Sequence, residues 1–220
     1  MILEVRSVRP FMKNGYAVAC PRTGEAVLID PGDEVNLLVA EVNGRGWTVR
    51  HILLSHAHID HISGVAAAKA AFPVNVYLHH DDLFLYERVA EQGLLFGLSV
   101  APQPSIDVFY DGSPIRFGDF EVRVHHTPGH CPGEVCLQIG PSGTAGSHLF
   151  VGDSLFAGSI GRTDLPGGSY DVLMRSITEV IFPLGDDAIV HPGHGPDTTV
   201  RHERANNPFV LEYLAGRSER

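Results

Sequence analysis

The chain is poor in cysteine, in positive charge and in long apolar runs, and each shortage removes a class of protein. Three cysteines in 220 residues, Cys20, Cys131 and Cys136, cannot all pair. That excludes a disulfide-built scaffold and fits a reducing compartment. Lys and Arg number 16 against 26 Asp and Glu, for a formal net charge of −10, and the basic residues form no cluster. Such a surface repels phosphate backbones, so nucleic acid is a poor partner. No apolar run approaches the roughly 18 residues of a transmembrane helix, and no membrane partner is expected. Met1-Ile2-Leu3-Glu4-Val5-Arg6 lacks a basic segment followed by an apolar one, so it reads as a strand and not as a signal peptide. The expectation is a cytoplasmic protein. Its 44% apolar content is ample for a core, and 19% charged residues argue against disorder.

What the chain does have is histidine in a pattern. Ser55-His56-Ala57-His58-Ile59-Asp60-His61 packs four candidate metal ligands into six residues. It follows Val49-Arg50-His51-Ile52-Leu53-Leu54, a β-branched apolar run that reads as a strand. Imidazole and carboxylate suit zinc, iron or manganese better than a thiolate-seeking metal. Three more candidates lie at strand ends inside Gly- or Pro-containing turns, which hold side chains rigidly at a sheet edge. They are His130 in Thr127-Pro128-Gly129-His130, Asp153 after Leu149-Phe150-Val151-Gly152, and His194 in His191-Pro192-Gly193-His194-Gly195.

Strand signals fall at 2–8, 16–20, 26–30, 49–54 and 74–78, and again at 107–110, 114–117, 120–126, 134–139, 148–152 and 188–191. Helices are expected from 34 to 43 with Asp33 as cap, from 64 to 72, from 81 to about 92, from 170 to 181, and from about 199 onward. Residues 93–104 read as an apolar, proline-bearing loop. Strands, helix, strand, helix, repeated once, fit an α/β protein (α+β in its sheet order) with two sheets face to face and helices outside, an αββα four-layer sandwich. Residues 1–220 read as a single domain.

The string His-x-His-x-Asp-His, then Thr-Pro-Gly-His, Gly-Asp and a late Gly-His, resembles the metallo-β-lactamase fold superfamily from Asn14 to about Phe209. Ile29-Asp30-Pro31-Gly32 resembles that family's strand-end aspartate motif. Gly161-Arg162-Thr163-Asp164 resembles its glyoxalase-II-like branch, which includes persulfide dioxygenases. His191-Pro192-Gly193-His194-Gly195-Pro196, with Thr198-Thr199 and Asn207-Pro208, resembles the short, single-domain glyoxalase-II-like (hydroxyacylglutathione hydrolase-like) enzymes.

The resemblance implies a ligand set for two divalent ions, zinc first, with iron or manganese as alternatives. His56, His58 and His130 match one site, Asp60, His61 and His194 the other, and Asp153 the bridging carboxylate. Asp60 and Asp153 are the expected catalytic carboxylates, Asp60 as a proton acceptor besides its ligand role. Asp30 is expected to partner a ligand histidine, and Arg162 and Asp164 to brace the metal site or its loops. The implied activity is hydrolysis of a small-molecule thioester such as S-lactoylglutathione, with a hydroxide between the ions as nucleophile. The C-terminal helical region with which longer glyoxalase II enzymes contact glutathione is not expected here. With few basic residues, the pocket should use apolar walls, and the 93–104 loop, with Leu94, Leu95, Phe96 and Leu98, is the wall candidate.

A mononuclear iron persulfide dioxygenase is the alternative. It needs one facial two-His, one-carboxylate set, for which His56, His130 and Asp153 would serve. A β-lactam hydrolase ranks lower, because the usual pattern there has Cys in place of Asp153. Glu134, four residues past His130, departs from the His often seen in the family. Cys131 reads as a small buried residue. His79-His80-Asp81-Asp82 reads as capping and packing at a strand end, and His125 and His126 alternate faces of one strand.

Overall fold

The computed structural model describes residues 1–141 and 147–218. An antiparallel meander opens the chain, with β1 (Ile2–Val8), β2 (Lys13–Ala19) and β3 (Glu25–Ile29). Helix α1 (Val35–Gly44) then crosses over to β4 (Thr48–Leu53), which pairs parallel to β3. Helices α2 (Ile59–Ile62) and α3 (Val65–Ala71) lead to β5 (Asn75–Leu78), and α4 (Leu83–Glu87) and α5 (Val89–Leu95) precede β6 (Val108–Phe109). These six strands form one sheet in the order β1-β2-β3-β4-β5-β6.

The second half repeats the plan. β7 (Ile115–Phe117), β8 (Phe120–His126), β9 (Val135–Pro141) and β10 (His148–Gly152) run antiparallel. A small hairpin, β11 (Leu155–Phe156) and β12 (Ser159–Ile160), and helix α6 (Tyr170–Arg175) follow. β13 (Ile189–Pro192) pairs parallel to β10, then come β14 (Thr198–Thr199), α7 (Val200–Asn206) and α8 (Pro208–Ser218). The second sheet is ordered β14-β13-β10-β9-β8-β7.

The period-two side-chain alternation of a strand separates three apolar layers. Tyr16, Val18, Val27, Ile29 and Leu53 of the first sheet meet Val122, Leu137, Ile139 and Phe150 of the second, filling the space between them. The intervening residues face outward: Ala17, Leu28, Ile52 and Leu54 pack with Leu38 and Val42 of α1 and Val65 and Ala68 of α3. Cys136, Leu149, Val151 and Val190 pack with Leu173, Met174 and Val200 on the other side. The αββα sandwich is therefore the observed fold. Ile52, Leu53 and Leu54 are fully buried, each contributing about 1.5–3 kcal/mol. A one-residue slip of β4 would exchange their faces, so packing pins the strand end from which the histidine-rich segment departs.

Several boundaries differ from the sequence reading. Helix α1 begins one residue later than expected, and Asp33 is not its cap. Asp33 instead accepts from the Ser63 hydroxyl at 2.7 Å, and Glu34 at the cap position makes no capping bond. The helix expected over 81–92 is a 3₁₀ turn, His80–Asp82, followed by α4 and α5 with a break at Arg88. The start of the expected 93–104 loop is the last turn of α5. The helix over 170–181 changes from α to π geometry after Arg175. Pro208 cannot donate a backbone hydrogen bond, so the final helix is divided there into α7 and α8. Among the described residues no helix is long and apolar enough to cross a membrane.

Candidate metal centre

Every candidate ligand emerges from a strand end on the same edge of the sandwich. After β4, His58 is extended and α2 is a single short turn, so His56 and His58 precede it while Asp60 and His61 lie within it. His130 sits in the tight loop after β8, which is closed by Thr127 N–H donating to the Glu134 carbonyl at 2.8 Å. Asp153 follows β10, and His194 follows β13. Gly152 lies at φ +53°, and a Cβ there would fall 2.6 Å from Ser55 Oγ and 2.8 Å from Glu134 Oε1. Glycine is the residue that permits this turn.

The seven side chains converge. His56, His58 and His130 offer donor atoms within 4.8 Å of one another, and so do His56, His61 and Asp153, and Asp60, His61 and His194. His58 Nδ1 lies 2.8 Å from His130 Nε2, and His194 Nε2 lies 3.0 Å from Asp60 Oδ2. Asp153 stands between the groups. Its Oδ1 is 3.4 Å from His61 Nε2, and its Oδ2 is 3.7 Å from His130 Nε2 and 3.6 Å from His194 Nε2.

Three buried atoms in this cluster, His56 Nε2, His61 Nε2 and Asp153 Oδ1, have no hydrogen-bond partner. Leaving such groups unpaired costs about 1–3 kcal/mol each. Orphaned imidazole and carboxylate donors collected in one place fit divalent ions of intermediate hardness. Burial, with His61, His58 and His130 adding to it, holds His56 well below the usual histidine range. Burial and His130 lower His58 to about 3. Both rings are thus neutral, the form that binds metal. For His61 burial works in the opposite sense, but Asp60, Asp153 and Asp30 outweigh it and raise the ring well above its ordinary value. An ion on His61 therefore displaces a proton.

Neighbouring groups orient the ligands. Asp30, at φ +50°, accepts from His61 Nδ1 at 2.9 Å and from the Ser55 N–H and hydroxyl, each at 2.6 Å. The expectation that Asp30 braces a ligand histidine matches this geometry. For Arg162 and Asp164, expected to brace the site or its loops, side chain and backbone act separately. Their side chains form a bidentate, mostly exposed pair with each other at 2.7 and 2.8 Å. It is the Arg162 backbone carbonyl that accepts from His130 Nδ1, at 2.7 Å. That pairing directs Nε2 toward the cluster.

The profile of the Metallo-beta-lactamase superfamily matches residues 8–194. The chain belongs to the metallo-β-lactamase superfamily. A curated relative, the hydroxyacylglutathione hydrolase GloC of Haemophilus influenzae, is 34% identical over 218 residues, covering 96% of this chain and 98% of that protein. Among solved structures, the BLEG-1 B3 metallo-beta-lactamase superposes with a TM-score of 0.86 at 36% identity, covering 95% of this chain and 99% of that one. TTHA1623, in a di-iron-bound form, superposes with a TM-score of 0.81 at 39% identity, covering 94% and 99%.

This superfamily member also uses residues that the sequence reading missed or underrated. Asp82, read as a capping residue, is fully buried. Its carboxylate accepts from Ala57 N–H at 3.0 Å, Gly133 N–H at 2.6 Å and the Cys131 thiol at 3.0 Å. It thereby ties the His56–His58 segment to the His130 loop. Gln92 braces the same segment through the Ala57 carbonyl and Ile59 N–H. Lys13 and Glu34 form a buried pair at 2.8 Å, and Lys13 also donates to the Asp30 carbonyl. Asn14 holds the His194 loop through the carbonyls of Pro192 and Gly195. Each partnership spans many residues of chain, so no local pattern signals it.

Glu134 is fully buried and accepts from Asp153 N–H at 2.6 Å. Burial, reinforced by the Asp153 charge, raises its carboxyl well above the usual range. A carboxyl whose folded pKa lies above its unfolded value binds its proton more tightly when folded. Its contribution to stability falls as pH rises from about 4.3, the unfolded value, through the folded one. Glu134→Gln should therefore flatten the loss of metal-free thermal stability across that rise while retaining the bond to Asp153. A melting-temperature series from pH 4 to 8 checks this.

Proposed function

We propose that this chain is a binuclear metal-dependent thioester hydrolase. His56, His58 and His130 would hold one ion and Asp60, His61 and His194 the other, with Asp153 standing between the two groups. The observation that carries the reading is Asp153, whose two oxygens lie within 3.4 to 3.7 Å of histidines from both groups. Divalent ions bound here would supply activation of water near neutral pH and polarisation of a carbonyl. Asp60 supplies the proton acceptor. Burial pushes its carboxyl up, but His61 and His194 outweigh that and keep it ionised. A thioester hydrolase needs both histidine groups complete, whereas persulfide oxidation would leave Asp60, His61 and His194 without a purpose.

The cleft over the cluster, about 320 Å³, gives the substrate its character. Phe11, Ile59, Leu85, Leu95, Phe96, Leu165 and Pro166 form its walls, with Phe11 and Phe96 in edge-to-face contact at 5.3 Å. Among the described residues lining it, Arg162 is the one permanent cation, and Asp164 already occupies its guanidinium. Nothing in this lining matches two substrate carboxylates. The reading is therefore a thioester recognised by its acyl group and by apolar contact, with little preference for the thiol. Phe96→Ala should raise KM by roughly tenfold, about 1.4 kcal/mol, with metal content unchanged. Loss of folding without a selective KM effect would assign Phe96 to packing alone.

A second reading has one observation in its favour, the 36% identity to a protein named as a B3 metallo-beta-lactamase. Acyl thioesters differing only in the thiol, a β-lactam series, and oxygen uptake with a persulfide, assayed side by side, separate the three activities. The thioester reading expects the largest kcat/KM on thioesters and no oxygen uptake. A preference for glutathione beyond about a hundredfold, or 2.7 kcal/mol, would contradict the weak thiol selectivity.

A further inference from the structure

Outside the cleft, two imidazoles from different sheets meet face to face. His79 directly follows β5 of the first sheet, and His126 ends β8 of the second. Their ring centroids lie 4.1 Å apart with an interplanar angle of 11°. Asp81 lies beside them, its Oδ2 3.8 Å from His79 Nδ1. One donor atom from each of His79, Asp81 and His126 falls within 4.8 Å of the others. The geometry points to a third metal site, peripheral to the hydrolytic centre, that takes a borderline divalent transition ion such as zinc, nickel or copper(II).

Three observations support it. First, His126 Nε2 is paired with the Pro132 carbonyl at 2.8 Å. Nε2 must therefore carry the proton, leaving the Nδ1 lone pair free, which is how an oriented histidine ligand is arranged. Second, His79 is partly buried against His126, with its ring held at the end of β5. Its one local bond, accepting Asp81 N–H at 3.3 Å, is long and readily exchanged for an ion. Third, exposure lets the donors reach an ion, for which the stacked rings must turn as well as contract. Donors sharing an ion at about 2.1 Å sit roughly 3.4 Å apart, and Asp81 and His126 are exposed. His80 Nδ1, 3.8 Å from the other Asp81 oxygen, is placed to add a fourth ligand. Two imidazoles and one carboxylate favour such ions over magnesium or calcium, which prefer all-oxygen sites.

The position gives the ion a consequence. It would join the two sheets just outside Asp82, the residue that ties both ligand loops together. An ion there braces the hydrolytic centre from its outer side without touching substrate.

The test starts from protein already carrying its tightly held ions, whatever their number, so it does not depend on the hydrolase reading. Zinc alone is titrated against a competing chromophoric chelator, for the parent, His126→Ala and Asp81→Asn. The parent should take up one further equivalent in the micromolar range, with a rise in melting temperature. His126→Ala should lose that equivalent and keep the tight ions, and Asp81→Asn should weaken it by roughly tenfold. Cobalt(II) in the same titration should add a visible absorption band that His126→Ala lacks. No further equivalent in the parent, or one that survives unchanged in both variants, overturns the proposal.

Discussion

Asp153→Ala is expected to strip most of the bound metal and to lower thioester hydrolysis by on the order of a thousandfold, about 4 kcal/mol of transition-state stabilisation. The carboxylate is buried and lies near His61, His130 and His194 together. Removing it leaves two ions with their mutual repulsion uncompensated. Asp153→Asn keeps the shape but supplies a neutral, weaker ligand, so it should fall between alanine and the parent. Elemental analysis after dialysis, with kcat/KM on the same samples, measures both effects. Activity near the parent level in Asp153→Ala would remove this residue from the chemistry.

The second large effect is expected at a residue that touches neither ion nor substrate. Asp82→Ala leaves the buried N–H groups of Ala57 and Gly133 without acceptors, at about 1–3 kcal/mol each. The protein should lose roughly 3 kcal/mol of stability. Both ligand loops lose their common tie, so metal affinity should drop by about 10- to 100-fold. Asp82→Asn retains one acceptor oxygen and should recover part of both losses. Denaturant midpoints and a chelator competition give the two numbers. A stability loss with unchanged metal affinity would show that Asp82 supports only the fold.

The histidine-rich centre was legible because its residues follow strong apolar strand signals, His56, His58, Asp60 and His61 in one dense segment and His130, Asp153 and His194 in turns marked by Gly or Pro. The layers were legible for the same reason, since Ile52, Leu53 and Leu54 can be buried together only between a sheet and a helix layer on one side and a second sheet on the other. What remained hidden depends on distance along the chain. Asp82 and Cys131 are 49 residues apart, and Asn14 and Gly195 are 181 apart, so nothing local announces their pairing. Arg162 meets His130 through its carbonyl, a group that every residue possesses, so residue type does not announce the contact. The alternation of His125 and His126 on β8 was visible, but the partner across the gap, His79, belongs to the other sheet. The break within 81–92 was also invisible, because Arg88 carries no helix-breaking signal.

The most direct measurement of the central claim is a titration of metal-free protein with zinc, and separately with iron(II) under anaerobic conditions, following thioester hydrolysis at each step. A binuclear hydrolase predicts activity that rises to its plateau at two equivalents, with His61→Ala and His194→Ala both inactive at any metal concentration. A plateau at one equivalent, with activity retained in both variants, would contradict the account.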